Sequence, residues 1–310
     1  MNPFTWSAPT QQPGNLSSQS RPLILRLLIM LLTISLLLSN RVNARSITIG
    51  SLSDSADSEI ALFLPLAAYL STALTSFDID KGRVRIKRNH EQMANLMKRG
   101  EVDLFIDSSV SALKMQRLGA GEFFLRRWKQ GIAEYQGVIF TLADSPITQI
   151  NDLAGRTIGF EERFSSSGYL LPASELSNNG LLLSKDPIGT HLNQVNSRFT
   201  GSDQSTLMWV LHKRIDAGAM ASNTFKELAG DLIGEFKIIH TSATVPYHVI
   251  LIRPGISERL QTAIKYRLMA MEQNLVGQQV LQGFEQTSRF DEIPSQAISS
   301  LSHVHFGSSQ

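Results

Sequence analysis

The sequence predicts an α/β protein of two lobes, each with a mixed, mainly parallel β-sheet flanked by helices and joined to the other by a two-strand hinge. Three observations support this prediction. Short alternating or apolar runs typical of strands are separated by longer runs of helix-forming residues. This rhythm occurs in each half of the chain. Strands also lead in both directions between the halves, which predicts two crossings between the lobes.

In the first half, alternation of polar and apolar residues predicts the strands, and longer apolar-faced runs predict the helices. The helix over Glu59–Leu74 has one unfavourable residue, Pro65. The predicted elements are strand Ser46–Gly50, helix Glu59–Leu74, strand Arg83–Lys87, helix His90–Arg99 and strand Val102–Ile106.

The second half repeats the rhythm and ends in what the pattern predicts to be the longest amphipathic helix, Ser257–Val276. The other predicted elements are strand Gly155–Phe160, helix Gly168–Asn178, helix Thr206–His212, strand Ile215–Met220, strand Lys237–His240 and strand Tyr247–Arg253.

The two crossings set the domain boundaries. We expect the chain to cross near Tyr135–Ser145 and to return near Thr241–His248, which makes the first lobe discontinuous in sequence. Lobe 1 is predicted to comprise residues 45–142 and 246–310, and lobe 2 residues 143–245. Ligands of open α/β sheets bind beyond the carboxyl ends of the strands, so the cleft between the lobes is the natural site.

The first 44 residues predict a Sec-type signal peptide. Arg21 and Arg26 precede an apolar run, Leu27–Ser39, and Val42–Ala44 has the compact residues expected before a cleavage site. The apolar run is shorter than the roughly 20 residues of a spanning helix, which favours cleavage and export to the periplasm. An uncleaved membrane anchor is the alternative, and it leaves the same domain in the same compartment.

Composition and motifs exclude several functional classes. The 310 residues include 29 Lys and Arg against 27 Asp and Glu, too small an excess for a nucleic-acid binder, and there is no cysteine. No nucleophile–base constellation, metal-ligand motif or phosphate-binding loop is present, so we expect no enzyme activity, metal or cofactor. The basic run Arg126–Lys129 is interpreted as a solvated surface helix, and His303 and His305 as lone histidines near a frayed C-terminus.

Three serines and a glycine, Ser165, Ser166, Ser167 and Gly168, lie between a predicted strand and the start of a predicted helix. Free backbone N–H groups and the positive end of the helix dipole point outward there, which suits a phosphate-like or carboxylate group. The alternative is that one serine caps the helix and the others lie in solvated loop.

The chain resembles the phosphate/phosphite/phosphonate importer solute-binding family in the order and spacing of several short motifs. They are the strand led by Tyr135, Asp144–Ile147, Asp152–Gly155, Ser165–Tyr169, Pro172, Gly180, Phe199–Ser202, Ile215–Gly218 and Val245–Pro246. The resemblance implies the type 2 periplasmic-binding-protein fold. It also implies a periplasmic component of an ABC importer that binds a small oxyanion such as phosphate, phosphite or phosphonate and docks on an inner-membrane permease. A diverged module that senses a ligand and signals to a membrane partner is the alternative.

The sequence departs from that family where ligand-binding residues are expected. Gly-Ser-His-Asp is common in relatives, but Gly201-Ser202 is followed here by Asp203, which repels an oxyanion. Asp107 and Ser108 follow the third strand, where such folds bind ligands. Acidic residues either pair with the amine of a zwitterionic ligand or indicate a different ligand altogether.

The predicted ligand-binding residues combine the serine cluster, the aromatic residue at the first crossing and the acidic positions. Asp103 and Asp216 have an alternative role, because each lies beside a strand and could bind local backbone instead. The predicted residues are Ser165, Ser166, Ser167, Gly168, Tyr135, Asp107, Ser108, Asp203 and Asp216.

Overall fold

The computed structural model of the chain describes Ser7 and residues 45–184 and 193–305. The predicted signal peptide, residues 1–44, lies outside these residues apart from Ser7. None of the helices in the described residues is long and apolar enough to cross a bilayer. Within the described residues, two six-stranded sheets flanked by helices confirm the two-lobed α/β fold.

The strands are β1 Arg45–Leu52, β2 Ile79–Lys87, β3 Leu104–Ser108, β4 Glu122–Lys129, β5 Glu134–Tyr135, β6 Gly137–Leu142, β7 Thr157–Phe160, β8 Leu182–Ser184, β9 Gln194–Phe199, β10 Ala217–Ala221, β11 Phe236–Thr241, β12 Val245–Pro246, β13 His248–Ile252 and β14 Thr287–Asp291. The helices are α1 Ala56–Ala73, α2 His90–Lys98, α3 Ser109–Arg117, α4 Leu171–Asn178, α5 Asp203–Leu211, α6 Ser222–Ala229, α7 Glu258–Met269, α8 Leu275–Gly283 and α9 Ser295–Ser299. A π-helical turn, Ser166–Leu170, leads directly into α4.

The two sheets are mixed. In lobe 1 the order is β14-β4-β13-β3-β1-β2, and in lobe 2 it is β11-β6-β10-β7-β9-β8. Parallel pairings join β3, β1 and β2, whereas β13, β4 and β14 enter antiparallel. Lobe 2 has parallel pairings from β10 to β8 and an antiparallel pair at the other edge. Four strands of lobe 1, β1 to β4, thus run in one direction, and the two strands that return after the second crossing, β13 and β14, run in the other. Among the described strands of lobe 2, β6 runs opposite to the rest.

Strands β5 and β12 pair antiparallel and form the hinge between the sheets, with Tyr135 opposite Val245. The predicted boundary at residue 142 would place β6 in lobe 1, but β6 pairs with β10 and β11 in the second sheet. The first crossing therefore lies at Glu134–Tyr135. A strand that begins only two residues after a hinge strand cannot be assigned to either lobe by its own residues.

Helices cover both faces of each sheet, because successive strand residues point to opposite sides. In β13, Ile250 and Ile252 pack with α1 and α7, whereas Val249 and Leu251 pack with α2 and α3. Lobe 2 is divided in the same way between two apolar clusters. Both faces of the central strands are therefore buried, as the apolar run of β13 predicts.

Two predicted helices are wrong. Helix α7 ends at Met269, and Asn274 caps a separate helix by accepting a hydrogen bond from the Gly277 amide, so Ser257–Val276 is not continuous. The basic run Arg126–Lys129 is the end of strand β4, where Arg126 and Arg127 are 7% and 1% exposed. Pairing with distant carboxylates, described below, buries these charges.

The last described residues bridge the lobes and are not frayed. Leu301 and Val304 are buried in an apolar cluster with residues of both lobes. Arg117 of lobe 1 donates to the Val304 carbonyl at 2.9 Å, and the His305 amide donates to Ser174 Oγ of lobe 2 at 2.7 Å. This segment adds a third link between the lobes beside the hinge strands.

Helix α1 lies unusually close to the edge strand β2. A Cβ atom on Gly82 would lie 2.2 Å from the backbone of Ala67, far inside van der Waals contact. Glycine at this position therefore permits the packing that buries Leu66 and Leu70 of α1 against the sheet.

We expect Gly82→Ala to lower the free energy of unfolding by about 1–3 kcal/mol, because the helix backbone must shift away from the strand. Gly283→Ala is the matched control: a Cβ there meets no atom within 4 Å, and the substitution should be neutral or slightly stabilising. Urea denaturation of both variants measures the difference. Equal stabilities of the two would contradict the proposed close contact.

Candidate functional site

A cavity of about 310 Å³ lies between the lobes, at the carboxyl ends of the central strands. Both lobes and the hinge contribute to its walls. The lining residues are Ser51, Leu52, Glu59, Phe63, Ile106, Asp107, Ser108, Arg127, Lys129, Tyr247, His248 and Glu285 from lobe 1, Glu161, Glu162, Phe164, Ser165, Ser166, Ser167, Asp203 and Thr224 from lobe 2, and Tyr135 from the hinge. A larger cavity of about 570 Å³ is lined by lobe 1 residues alone, so the cavity between the lobes is the candidate site.

Hydrogen-bonding side chains form a row across the lobe 1 wall. His248 is the register partner of Arg127 on one side and of Ser108 on the other, in adjacent strands β4, β13 and β3. All three residues line the cavity. Burial, reinforced by Lys129 and Arg127, lowers the pKa of His248 well below its usual value, so its imidazole is neutral at pH 7.

The Arg127 guanidinium is buried and firmly held. It donates to Thr287 Oγ1 at 2.8 Å and from Nη2 to the Phe284 carbonyl and Glu285 Oε2 at 2.9 Å each. Glu285 also pairs with Lys129 at 2.7 Å. One carboxylate thus faces two cations, and these cations lower the pKa of Glu285 against the opposing effect of its burial.

Asp107 lies at the cavity but is heavily hydrogen-bonded within lobe 1. Its carboxylate accepts from the Leu52 amide at 3.2 Å, the Ser51 hydroxyl at 3.3 Å, and the amide and hydroxyl of Ser108 at 2.7 and 3.1 Å. Burial nevertheless raises its pKa to about 6. The carboxylate therefore joins the ends of β1 and β3 and contributes negative charge to the cavity.

Two further carboxyl groups lining the cavity are ionised only at a cost. Burial, together with Glu285 and Asp107, raises the pKa of Glu59 to about 7. Burial and the nearby Glu161 raise the pKa of Asp203 to about 7. The Oδ1 atom of Asp203 is buried and has no hydrogen-bond partner among the described residues.

The serine cluster is largely occupied by contacts within the protein. Ser165 Oγ accepts from the Gly168 amide at 3.0 Å, as a helix cap, and Ser166 Oγ donates to Ser108 Oγ of lobe 1 at 2.5 Å. A Cβ on Gly168 would lie 3.1 Å from a carboxylate oxygen of Glu161, so an acidic side chain already faces this turn. Ser167 lines the cavity with no hydrogen bond from its hydroxyl to a described residue.

Tyr135 of the hinge lines the cavity beside the serine cluster. Its side chain is 5% exposed, lines the cavity and lies beside Ser166, and its hydroxyl has no well-placed hydrogen-bond partner in the described part of the chain. Burial raises the pKa of this hydroxyl, so it is a neutral donor. A buried hydroxyl without a partner is costly unless a ligand or water completes it.

Two predicted site residues, Gly168 and Asp216, do not line the cavity, and neither does Asp103. Asp216 accepts from the Thr157 amide at 2.8 Å, and Asp103 accepts from the Thr48 amide and from Arg253 Nε at 2.9 Å each. Both lie at the amino ends of their strands, on the sheet edge opposite the cleft, which supports the local role left open for them. Gly168 lies behind the serines, with its amide bound to Ser165.

Sequence reasoning missed several lining residues. Arg127 and Lys129 lie two residues apart on β4, so they face the same side of the sheet, and His248 of β13 pairs with Arg127. Predicting β4 as a strand would have placed these three residues together. Glu285 precedes β14 and could not be linked to Arg127 from local sequence. Over the described residues, no group of three or more His, Cys, Asp or Glu is arranged to hold a metal ion.

Solved structures with the same fold agree with this architecture. XAC2383 from Xanthomonas citri, in a structure described as bound to chloride ion, is 23% identical with a TM-score of 0.76, covering 84% of this chain and 95% of its own. A binding protein component of an ABC phosphonate transporter from Pseudomonas aeruginosa is 18% identical with a TM-score of 0.56, covering 82% and 83%. PhnD1 from Prochlorococcus marinus, in complex with methylphosphonate, is 15% identical with a TM-score of 0.60, covering 84% and 97%.

At these identities the structures establish the fold alone. The family is established by a sequence-family match that spans residues 49–297, most of the chain and both sides of the hinge. The matching family is described as ABC transporter, phosphonate, periplasmic substrate-binding protein. The chain therefore belongs to this family of phosphonate-type periplasmic substrate-binding proteins.

Proposed function

We propose that this chain is the exported, periplasmic component of an ABC importer and that it binds a small zwitterionic ligand between its lobes. The ligand carries an oxyanion, such as a phosphonate group, together with a cationic group such as a protonated amine. The lobes close on it by bending at the hinge strands β5 and β12, and the closed form docks on an inner-membrane permease.

The charge of the cavity supports this ligand class. Six carboxyl groups line it, from Glu59, Asp107, Glu161, Glu162, Asp203 and Glu285, against two cations, Arg127 and Lys129. Both cations pair with Glu285. Free phosphate, a doubly charged oxyanion, would bring further negative charge into a space that already holds a carboxylate excess.

A cationic group on the ligand reverses this balance. An ammonium ion beside the carboxylates of lobe 2 favours their ionised forms and so removes the cost that burial imposes on Asp203. The buried guanidinium of Arg127 remains to hydrogen-bond the oxyanion, and the hydroxyl groups of Ser167 and Tyr135 remain to hydrogen-bond the ligand. The predicted phosphate, phosphite and simple phosphonate ligands therefore rank below an aminophosphonate.

A ligand panel tests this proposal on the domain from Arg45 onward. At about 100 times its dissociation constant, 2-aminoethylphosphonate should stabilise the protein by about 2.7 kcal/mol, or several degrees in Tm. Phosphate, phosphite, methylphosphonate, sulfate and ATP at equal concentration should give much smaller shifts. Thermal unfolding measures all of them, and no shift with any zwitterion would contradict the proposal and favour the sensing role.

The Ser167→Ala variant tests whether this serine contacts the ligand. The Ser167 hydroxyl has no hydrogen bond to a described residue, so its loss should leave the unliganded protein intact. Loss of a hydrogen bond to the ligand should weaken binding about tenfold. Ser299→Ala, an exposed change on helix α9, is the control and should bind as the parent does. Unchanged affinity of Ser167→Ala would remove that residue from the ligand site.

The carboxylate excess also predicts a pH dependence without ligand. The pKa of Glu59 is about 7 in the folded protein against 4.5 ordinarily, so its ionisation costs stability as pH rises through this range. Glu59→Gln cannot ionise. It should be more stable than the parent at pH 8 by about 1 kcal/mol, since solvent screens this half-buried group.

The gain should shrink as pH falls through 7 and disappear below about 4.5. Denaturant unfolding from pH 4 to pH 8 measures it. Glu258→Gln, another first-turn position but outside the cavity, controls for loss of a charge. A Glu59→Gln variant less stable than the parent at pH 8 would show that the carboxylate is stabilising, contrary to the proposed excess.

A further inference from the structure

The two walls of the cavity differ in charge. Among the described lining residues, both cations, Arg127 and Lys129, come from lobe 1. Lobe 2 supplies three carboxyl groups, four hydroxyl groups and one phenyl ring, and no cation. The difference in charge between the two walls therefore decides how a ligand with both a positive and a negative group is oriented.

On lobe 2, carboxylates already occupy the positions that would attract an anion. The Glu161 carboxylate lies against Gly168 in the turn leading to α4, and Asp203 is the first residue of α5, directly after its cap Ser202. Each side chain therefore lies near the positive end of a helix dipole. An incoming oxyanion would be repelled here, because both positions are already taken by negative charge.

These two carboxylates also lie close enough to interact, and neither forms an ion pair with a described residue. Burial raises the pKa of Asp203, and the Glu161 charge raises it further. Asp203 Oδ1 is buried without a hydrogen-bond partner in the described chain, and the hydroxyl of the buried Tyr135, which has no well-placed partner there, lines the same cavity. Unsatisfied buried groups at one place indicate that a bound molecule completes them.

On lobe 1, both cations lie among three carboxyl groups, Glu59, Asp107 and Glu285. Arg127 and Lys129 pair with Glu285, and burial raises the pKa of Glu59 to about 7, so that its carboxyl group is partly protonated near neutral pH. The Arg127 Nη1 group has no hydrogen bond to a described residue, whereas Nε and Nη2 are fixed. Asp107 is already bound by four donors. Arg127 Nη1 and the His248 imidazole, whose Nδ1 atom has no hydrogen-bond partner among the described residues, can therefore present N–H groups to an oxyanion.

We infer that the ligand binds with its cationic group against Glu161 and Asp203 of lobe 2 and its oxyanion against Arg127 and His248 of lobe 1. This inference rests on the proposed function, since it orients the proposed zwitterion. It makes Arg127 the anion-binding residue, in place of the serine cluster, and Glu161 and Asp203 the residues that select for an amine. Closure then brings each charged end of the ligand to the opposite charge on a different lobe.

Two ligands that differ only in the amine test the orientation. Isothermal titration with 2-aminoethylphosphonate and ethylphosphonate gives a preference ratio for each variant. The parent should prefer the amine ligand. In Glu161→Gln/Asp203→Asn this ratio should fall at least about tenfold, because the amine loses its partners and the oxyanion loses its repulsion. Asp231→Asn, an exposed change elsewhere on lobe 2, should leave both affinities unchanged.

Arg127→Lys should weaken both ligands to a similar degree and keep the ratio, since lysine cannot reproduce the planar guanidinium contacts. If this variant does not fold, as circular dichroism would show, the lobe 2 double variant decides alone. An unchanged ratio in the double variant, with both ligands bound by the parent, overturns the orientation only. Failure of the parent to bind either ligand overturns the proposed function and the orientation with it.

Discussion

Burial of the Arg127 guanidinium is the constraint on which the cleft depends. A charge removed from water costs several kcal/mol unless it is paired and hydrogen-bonded. Here Glu285, Thr287 and the Phe284 carbonyl satisfy it, and the Phe284 ring lies 3.8 Å from the guanidinium carbon. These partners come from the end of α8 and the start of β14. The lobe 1 wall of the cavity therefore forms only when the chain has returned from lobe 2 and completed the first sheet.

This arrangement explains why the positive and negative side chains that line the cavity do not cancel each other. Glu285 is committed to Arg127 and Lys129, and Asp107 to the ends of β1 and β3. The remaining carboxyl groups, at Glu59, Glu161, Glu162 and Asp203, have no cationic partner in the described chain. Buried groups of one sign destabilise the unliganded cleft, and a ligand of opposite local charge relieves them.

Local patterns were enough to predict most of the fold, because a strand or helix with one apolar face carries its own periodicity. Two of the failures have a common cause in distant partners. Arg126 and Arg127 are buried in β4 where Asp291 and Glu285, more than 150 residues later, pair with them, and Arg126 also pairs with Glu134. A basic run read without those partners indicates a solvated surface. Likewise, Glu134–Tyr135 becomes a hinge strand only through its pairing with Val245–Pro246.

The site residues were also only partly predictable from local sequence, but one rule would have improved the prediction. Asp107 lies at the carboxyl end of β3 and Asp203 follows β9, and both line the cavity, whereas Asp103 and Asp216 precede the strands β3 and β10 and do not. Asp103 and Asp216 have equivalent structural roles in the two lobes. Asp103 binds the Thr48 amide of β1, and Asp216 binds the Thr157 amide of β7, so each joins the amino ends of neighbouring parallel strands. Since ligands bind at the carboxyl ends, the position of an aspartate relative to strand direction separates a structural role from a candidate ligand contact.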